Sequence, residues 1–253
     1  MESAARFSNR VDDYIKYRPG YPPAVIEFLS AQCGLTPDHL VADVGSGTGI
    51  LSELFLKHGN RVIGIEPNRE MREAGERLLA DYKGFTSVDG SAEATTLPEH
   101  SVDYITAAQA FHWFDRERAR AEFKRILKPG GWVLLLWNER RTDSTVFLRD
   151  YEELLLTYGT DYKEVRHENV YENIAAFFAP RSFELKSFAN KQVFNYEGLK
   201  GRLLSSSYVP APGQPKFDEM LAALSRLFDV HQQDGQVGVE YDTRVYYGQL
   251  GPE

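Results

Sequence analysis

Leu40-Val41-Ala42-Asp43-Val44-Gly45-Ser46-Gly47-Thr48-Gly49-Ile50-Leu51-Ser52-Glu53-Leu54-Phe55 is the stretch on which the fold depends. A short apolar run of strand length ends in a glycine turn, and the turn opens straight into a helical pattern. Ile50, Leu51, Leu54 and Phe55 fall on one helical face, and Gly59-Asn60 supplies the stop. Such a turn lets backbone N–H groups and a helix N-terminus approach a ligand closely. The glycines alternate, Gly45-x-Gly47-x-Gly49, with Asp43 just ahead of the first. A dinucleotide fingerprint would put its third glycine where this chain has Ile50.

Outward from the turn, strand and helix alternate. Residues 61–66 read as a second strand, and Met71, Ala74, Leu78, Leu79 and Tyr82 as a helical stripe closed by Gly84. Residues 85–89 and 102–108 are the third and fourth strands. Asp115 can cap a helix carrying Ala119, Phe123, Ile126 and Leu127, which must stop at Lys128 ahead of Pro129-Gly130-Gly131. Residues 132–137 are apolar throughout, as in a strand buried on both faces. The alternation predicts an α/β fold with a doubly wound, mostly parallel sheet. Beyond residue 138 the rhythm changes. Residues 138–180 read as helical, with Phe147, Tyr151, Leu154 and Leu155 on one stripe. Residues 183–194 and 240–248 read as strands with a helix near 217–230 between them, and 3–17 as an N-terminal helix.

The chain has 253 residues, is 42% hydrophobic and 26% charged, and carries a formal charge of −8. That is an ordinary globular balance without the basic field that attracts nucleic acid. Cys33 is the single cysteine, so no intramolecular disulfide framework forms. Residues 1–9 lack a signal-peptide core and no apolar run reaches membrane-spanning length, so a cytoplasmic protein with no membrane or nucleic-acid partner is expected. The six histidines lack ligand spacing, which argues against a metal site. A P-loop and a G-x-S-x-G elbow are both absent. Oligomeric state leaves no sequence signal.

Four places carry the ligand argument. Asp43, Gly45, Ser46 and Gly47 lie at the carboxyl end of the first strand, where doubly wound sheets bind ligands. Glu66, followed by Pro67, ends the second strand about 20 residues after Gly45, the spacing of a carboxylate that accepts both ribose hydroxyls. NAD enzymes use the same device, so Glu66 indicates a ribose and not a particular cofactor. Met71 is placed to touch an adenine, or is plain core. Further on come Asp89-Gly90-Ser91-Ala92-Glu93 and Ala107-Ala108-Gln109-Ala110-Phe111-His112-Trp113-Phe114-Asp115.

Taken together, these runs resemble the S-adenosylmethionine-dependent methyltransferases with a Rossmann-like fold. The His112-Trp113-Phe114-Asp115 run and Lys128-Pro129-Gly130-Gly131 are similar to the type 11 branch, including relatives of trans-aconitate methyltransferase. Tyr17-Arg18-Pro19-Gly20-Tyr21-Pro22 and Ser205-Ser206-Ser207-Tyr208 look like segments of the same branch. The resemblance implies a seven-stranded sheet closed by an antiparallel C-terminal hairpin, in one domain over 1–253. Its core would be about 37–138 plus 181–250, with a helical lid from 1–36, 139–180 and 200–230. It implies that Ser91, Ala92 and Glu93 read the adenine amine, although Ser91 stands where the family often has Asp or Asn. Gln109 and its neighbours would then face the reacting sulfonium.

Methyl transfer is an in-line displacement in which the protein aligns the nucleophile and excludes water. A carboxylate acceptor needs no base, whereas a hydroxyl or carbon acid does, and His112 is the candidate, with a packed structural histidine as the other reading. Tyr14 and Arg18 are candidates for the cofactor's amino-acid end or a substrate anion. Trp113, Phe114 and Tyr208 are candidates for the wall of the acceptor pocket, or for core. The expected activity is methylation of a small molecule, giving S-adenosylhomocysteine. An NAD-dependent oxidoreductase and a non-catalytic S-adenosylmethionine-binding regulator are the alternatives.

Overall fold

The computed structural model describes residues 16–160, 162, 170–206 and 208–251. The elements are α1 (Ala24–Cys33), β1 (Leu40–Val44), α2 (Ile50–His58), β2 (Arg61–Ile65), α3 (Arg69–Leu78), β3 (Phe85–Val88) and β4 (Val102–Ala108). They continue with α4 (Arg116–Ile126), β5 (Leu127–Arg140), α5 (Val146–Tyr158), α6 (Val170–Phe178), β6 (Glu184–Phe194), α7 (Tyr196–Leu204), α8 (Phe217–His231) and β7 (Val237–Gly248). Of the helix expected over 3–17, Lys16 and Tyr17 are helical and the rest lies outside the described residues.

The strands form one seven-stranded sheet in the order β3-β2-β1-β4-β5-β7-β6. The first five run parallel, and β7 pairs antiparallel with both β5 and β6. This is the expected doubly wound sheet with its C-terminal hairpin. Strand order reverses between β1 and β4, the switch point where such sheets open a ligand crevice. Side chains of β5 alternate between the two faces. Val133, Leu135 and Trp137 join a core with Phe123 of α4 and Ile174 of α6, while Leu134 and Leu136 join Val25 and Leu29 of α1 and Phe55 of α2. A third cluster packs on one end of the β6–β7 pair, where Phe194, Val239 and Tyr241 meet Phe147 and Leu148 of α5, Leu199 and Leu203 of α7, and Met220 and Leu224 of α8.

Of the segments expected to form a lid, α5, α7 and α8 meet in this third cluster. The helices α1 and α6 fall within the proposed lid segments 1–36 and 139–180, yet both bury their apolar residues against the sheet. The helical reading of 138–180 also begins too early, since β5 continues to Arg140 in register with Tyr241 of β7. At its start β5 begins at Leu127. Leu127 pairs with Val102 and Trp132 with Tyr104, so Pro129-Gly130-Gly131 bulges out where proline's missing N–H would break the ladder. Helix α3 stops at Leu78, which is 49% exposed, while Leu79 turns inward beneath Gly49. Both Asp115 and Asn68 cap their helices through side-chain oxygens. Among the described residues no helix is long and apolar enough to cross a membrane, and no cluster of His, Cys, Asp or Glu could hold a metal.

Candidate active site

The glycine turn is built by conformation before it is built by contact. Gly45, Gly47 and Gly49 have φ of 69°, 58° and 84°, in the left-handed region that favours glycine. At Gly45 a Cβ would also lie 2.6 Å from Cβ of Ala110. The N–H groups of Gly45 and Ser46 both donate to Ile65 O, which ties the turn to β2. Glu66 completes the clamp, accepting from Gly47 N at 2.9 Å through Oε2 and from Asn68 N at 2.8 Å through Oε1. Burial raises its pKa above the ordinary carboxylate value, against the pull of those two N–H groups and of Arg72.

At the end of β1, Asp43 is 1% exposed. It accepts from Ser52 Oγ at 2.6 Å and from Thr106 Oγ1 at 2.9 Å, and no cation pairs with it among the described residues. Burial pushes its pKa up to about 6, against the pull of the hydrogen bonds from Ser52 and Thr106. Its neighbour Thr48 is 2% exposed, and its hydroxyl makes no hydrogen bond among the described residues.

These groups share one cavity. Its wall includes Asp43, Gly45, Ser46, Gly47, Thr48, Gln109 and Asn138 from the sheet side, with Arg18, Pro19, Tyr21 and Arg202 from the N-terminal strap and the lid. Gln109 holds a positive φ of 55°, rare for a residue with a side chain, and donates its backbone N–H to Leu136 O. The strap is latched down. Asn138 Nδ2 donates to Pro19 O and Gly20 O, Gln192 Nε2 to Tyr17 O, and Arg18 Nη2 to Ser205 O at 2.9 Å.

Arg202 of α7 is 8% exposed. Its Nε donates to Tyr241 Oη at 3.1 Å, and Nη1 to Ser206 Oγ at 3.1 Å and Ser205 Oγ at 3.4 Å. Burial opposes its charge, but the hydroxyls of Tyr241, Tyr208 and Tyr151 hold its pKa above the ordinary value. Tyr208, although burial opposes its ionisation, is drawn below the usual tyrosine range chiefly by Arg202.

The sequence-predicted residues divide clearly. Asp43, Gly45, Ser46, Gly47, Gln109 and Arg18 are brought together on the cavity wall. Glu66 stands behind Gly47, and Met71 is 5% exposed with its Cε 3.4 Å from where a Gly47 Cβ would be. Pro67 is exposed. Ser91 and Ala94 bridge each other through their backbones around buried Ala92. Glu93 accepts from Asp115 N at 2.9 Å, which is a scaffold bond at the start of α4. His112 is exposed on a 3-10 turn, Phe111–Trp113, its ring tilted at 46° to that of Trp113 with centroids 4.6 Å apart, and Trp113 is itself 42% exposed. Neither lines the cavity. Phe114 is half-buried, packs edge-on against Phe111 and Phe123, and sets its ring edge 3.7 Å from where a Gly45 Cβ would be. Tyr208 sits in the arginine–tyrosine cluster beside Tyr162, and Tyr14 lies outside the described residues.

Sequence reasoning missed Thr48, Asn138 and Arg202. A signal existed for the last: Leu199, Arg202 and Leu203 share a helical face, so the arginine interrupts an apolar stripe.

Comparison with known proteins shows what this geometry is similar to. Residues 42–135 match the model of a methyltransferase domain. An uncharacterized methyltransferase of Mycobacterium tuberculosis is 37% identical over 160 residues, covering 63% of this chain and 61% of the relative. The chain thus spans about three fifths of that relative's length. An uncharacterized methyltransferase of Schizosaccharomyces pombe is 29% identical over 245 residues, 90% of this chain and 92% of the relative. Among solved structures, a protein of Anaeromyxobacter dehalogenans described as a type II methyltransferase superposes with a TM-score of 0.70 at 24% identity, covering 94% of this chain and 100% of that one.

Proposed function

From the methyltransferase domain of Rossmann-like fold that this chain carries, we propose that it transfers a methyl group from S-adenosylmethionine to a small-molecule acceptor, leaving S-adenosylhomocysteine. Asp43 carries the reading. A carboxylate buried on a cavity wall, held by hydrogen bonds from Ser52 and Thr106 and with no cation beside it among the described residues, is a group kept for a cationic ligand. The orphaned Thr48 hydroxyl fits as well, since a buried hydroxyl without a partner costs about 1–3 kcal/mol until a polar ligand satisfies it.

S-adenosylmethionine supplies a methyl group on a sulfonium, already activated for displacement. The chain's own residues bind, orient and keep water out. Glu66 would hold the ribose hydroxyls, because each of its oxygens spends one lone pair on an N–H and keeps another. Met71 would lie against the adenine, with Ser91 and Ala92 at its amine. Arg18 and Tyr14 are assigned to the amino-acid carboxylate, and Gln109 to the reacting region. The titratable groups on the cavity wall are Arg18, Tyr21, Asp43 and Arg202, and both Asp43 oxygens already accept hydrogen bonds. A general base for the acceptor is therefore absent from the described wall, which favours a nucleophile that arrives deprotonated. The net charge of −8 favours a small acceptor over nucleic acid.

Calorimetric titration with S-adenosylmethionine, S-adenosylhomocysteine and NADH tests the reading. Binding of the two sulfur compounds is expected. Binding of NADH alone would overturn it in favour of a hydride-transfer enzyme.

A further inference from the structure

We propose that the outer edge of β6 pairs antiparallel with β6 of a second copy of this chain, giving a dimer whose two-fold axis passes through Ala189. The inference goes beyond the methyl-transfer reading and does not depend on it.

Strand β6 ends the sheet, and among the described residues no strand pairs with its outer edge. It keeps unbroken register with β7 over all 11 residues, from Glu184 to Phe194. Exposed edges are usually shielded by proline, a bulge or short length, and β6 has none of these. Its odd-numbered residues, Leu185, Ser187, Ala189, Lys191 and Val193, share one face of the sheet and are all exposed. Leu185 is 44% and Val193 53% exposed. The even-numbered residues are already engaged on the other face, where Asn190 Nδ2 donates to Gly20 O and Gln192 Nε2 to Tyr17 O. Pairing at the edge therefore leaves the strap of the candidate active site where it is.

The backbone selects which residues can pair. Lys191 N donates to Asn190 Oδ1 at 2.9 Å and so points away from β7, which turns the N–H and C=O groups of the odd-numbered residues to the open edge. On pairing, that N–H exchanges Asn190 Oδ1 for a backbone oxygen of the second copy. Two copies related by a two-fold axis present the same patch to each other, and opposed residues stay on one face. With the axis at Ala189, Leu185 lies opposite the partner's Val193, and Val193 opposite the partner's Leu185. The two most exposed apolar side chains of the strand then cover each other. Lys191 meets Ser187 and Lys186 meets Gln192, so no like charges are opposed. An axis one residue earlier would set Lys191 against Leu185, and one residue later would set Val193 against Ser187. Ala189 itself adds little bulk where the two strands cross.

Sedimentation velocity over roughly 1–100 μM, the range of a modest interface, should show a dimer that grows with concentration. Ala189→Pro removes an N–H from the open edge and none from the β7 ladder, and should leave a monomer throughout. Cross-linking tests the register separately and needs no destabilising change. Cys33 is the single native cysteine and is buried. Ala189→Cys should give a disulfide-linked dimer under mild oxidation, since hydrogen-bonded partners have Cα atoms about 5.5 Å apart. Leu185→Cys should not, because its two copies would lie about 27 Å apart along the strands. A monomer at every concentration overturns the inference. A dimer untouched by Ala189→Pro, or cross-linked as readily through position 185 as through 189, overturns it as well, because the copies would then meet elsewhere or in another register.

Discussion

Asp43 and Arg202 face the same cavity from different parts of the molecule, and each is a buried charge without an opposite charge beside it. The carboxylate belongs to β1, in the middle of the sheet, and is satisfied by the hydroxyls of Ser52 and Thr106. The guanidinium belongs to α7, in the lid, and is satisfied by the hydroxyls of Tyr241, Ser205 and Ser206. Hydroxyls hold a charge in position without neutralising it. Elsewhere the chain pairs charges directly, as in Arg140 with Glu152 or Lys128 with Asp103. The contrast marks two places, one on the sheet and one on α7, where a charge on the cavity wall is held by hydroxyls and not by an opposite charge.

Breaking the sheet side should cost the most. In Gly45→Ala the new Cβ meets that of Ala110 at 2.6 Å, and φ of 69° disfavours any side chain. Overpacking plus left-handed strain predicts about 2–5 kcal/mol of lost stability in urea unfolding, with loss of cofactor binding. The lid-side counterpart is Gly201→Ala, whose Cβ would fall 2.0 Å from the Tyr17 ring. It should displace the strap carrying Arg18, and so weaken ligand binding while leaving the sheet folded. Equal unfolding of both variants would mean that lid and sheet are one cooperative unit.

Removing the ribose clamp comes next. Glu66→Ala should weaken S-adenosylhomocysteine binding by about 1–3 kcal/mol, the range for lost hydrogen bonds to a charged group. Because Glu66 also accepts from Gly47 and Asn68, some loss of thermal stability should accompany it. Unchanged affinity in calorimetry would remove Glu66 from the site.

Asp43 makes the comparison depend on pH. Its folded pKa of about 6 lies above the ordinary value of 3.8, so the native state holds this proton more tightly than the unfolded chain does. Its contribution to stability is then fullest below about 4 and falls as pH rises to about 6, by up to about 3 kcal/mol. Asp43→Asn should flatten that part of a stability-versus-pH curve. Ligand binding has the opposite sign. A cationic donor needs the carboxylate ionised, so affinity for S-adenosylmethionine should drop as pH falls through about 6, and affinity for uncharged-sulfur S-adenosylhomocysteine should drop less. Parallel pH profiles for the two compounds would take Asp43 away from the sulfonium.

The sheet side was legible because its signals are local. The run from Leu40 to Phe55 states strand, left-handed turn and helix within a few residues, and the burial of Tyr241, Thr243 and Val245 follows from alternation alone. What sequence reading missed is set by distant partners. Helix α1 is core because Val25 and Leu29 meet Phe55 and Leu136, and nothing near residue 24 says so. Arg202 gains its meaning from Tyr241 and Ser206, and from a strap that ends at Tyr21. A lid is held together by contacts remote in sequence, and periodicity cannot report those.

His112 gives the smallest expected effect and sharpens the comparison from outside both sides. Its residue type and its place after β4 make it a candidate base, but the 3-10 turn Phe111–Trp113 buries Phe111 and leaves His112 exposed. The three residues cannot all face one way, and Phe111 takes the inward direction because it packs edge-on against Trp137 and Phe177 at 6.3 and 5.0 Å. With the core claiming that position, the histidine projects away from the cavity wall. A nucleophile that arrives deprotonated, as proposed, needs no base. His112→Ala should therefore change turnover by less than about 3-fold and stability by no more than about 0.5 kcal/mol, as exposed substitutions do. A loss of about 100-fold in turnover with the fold intact would instead mark a general base, and would require a nucleophile that arrives protonated.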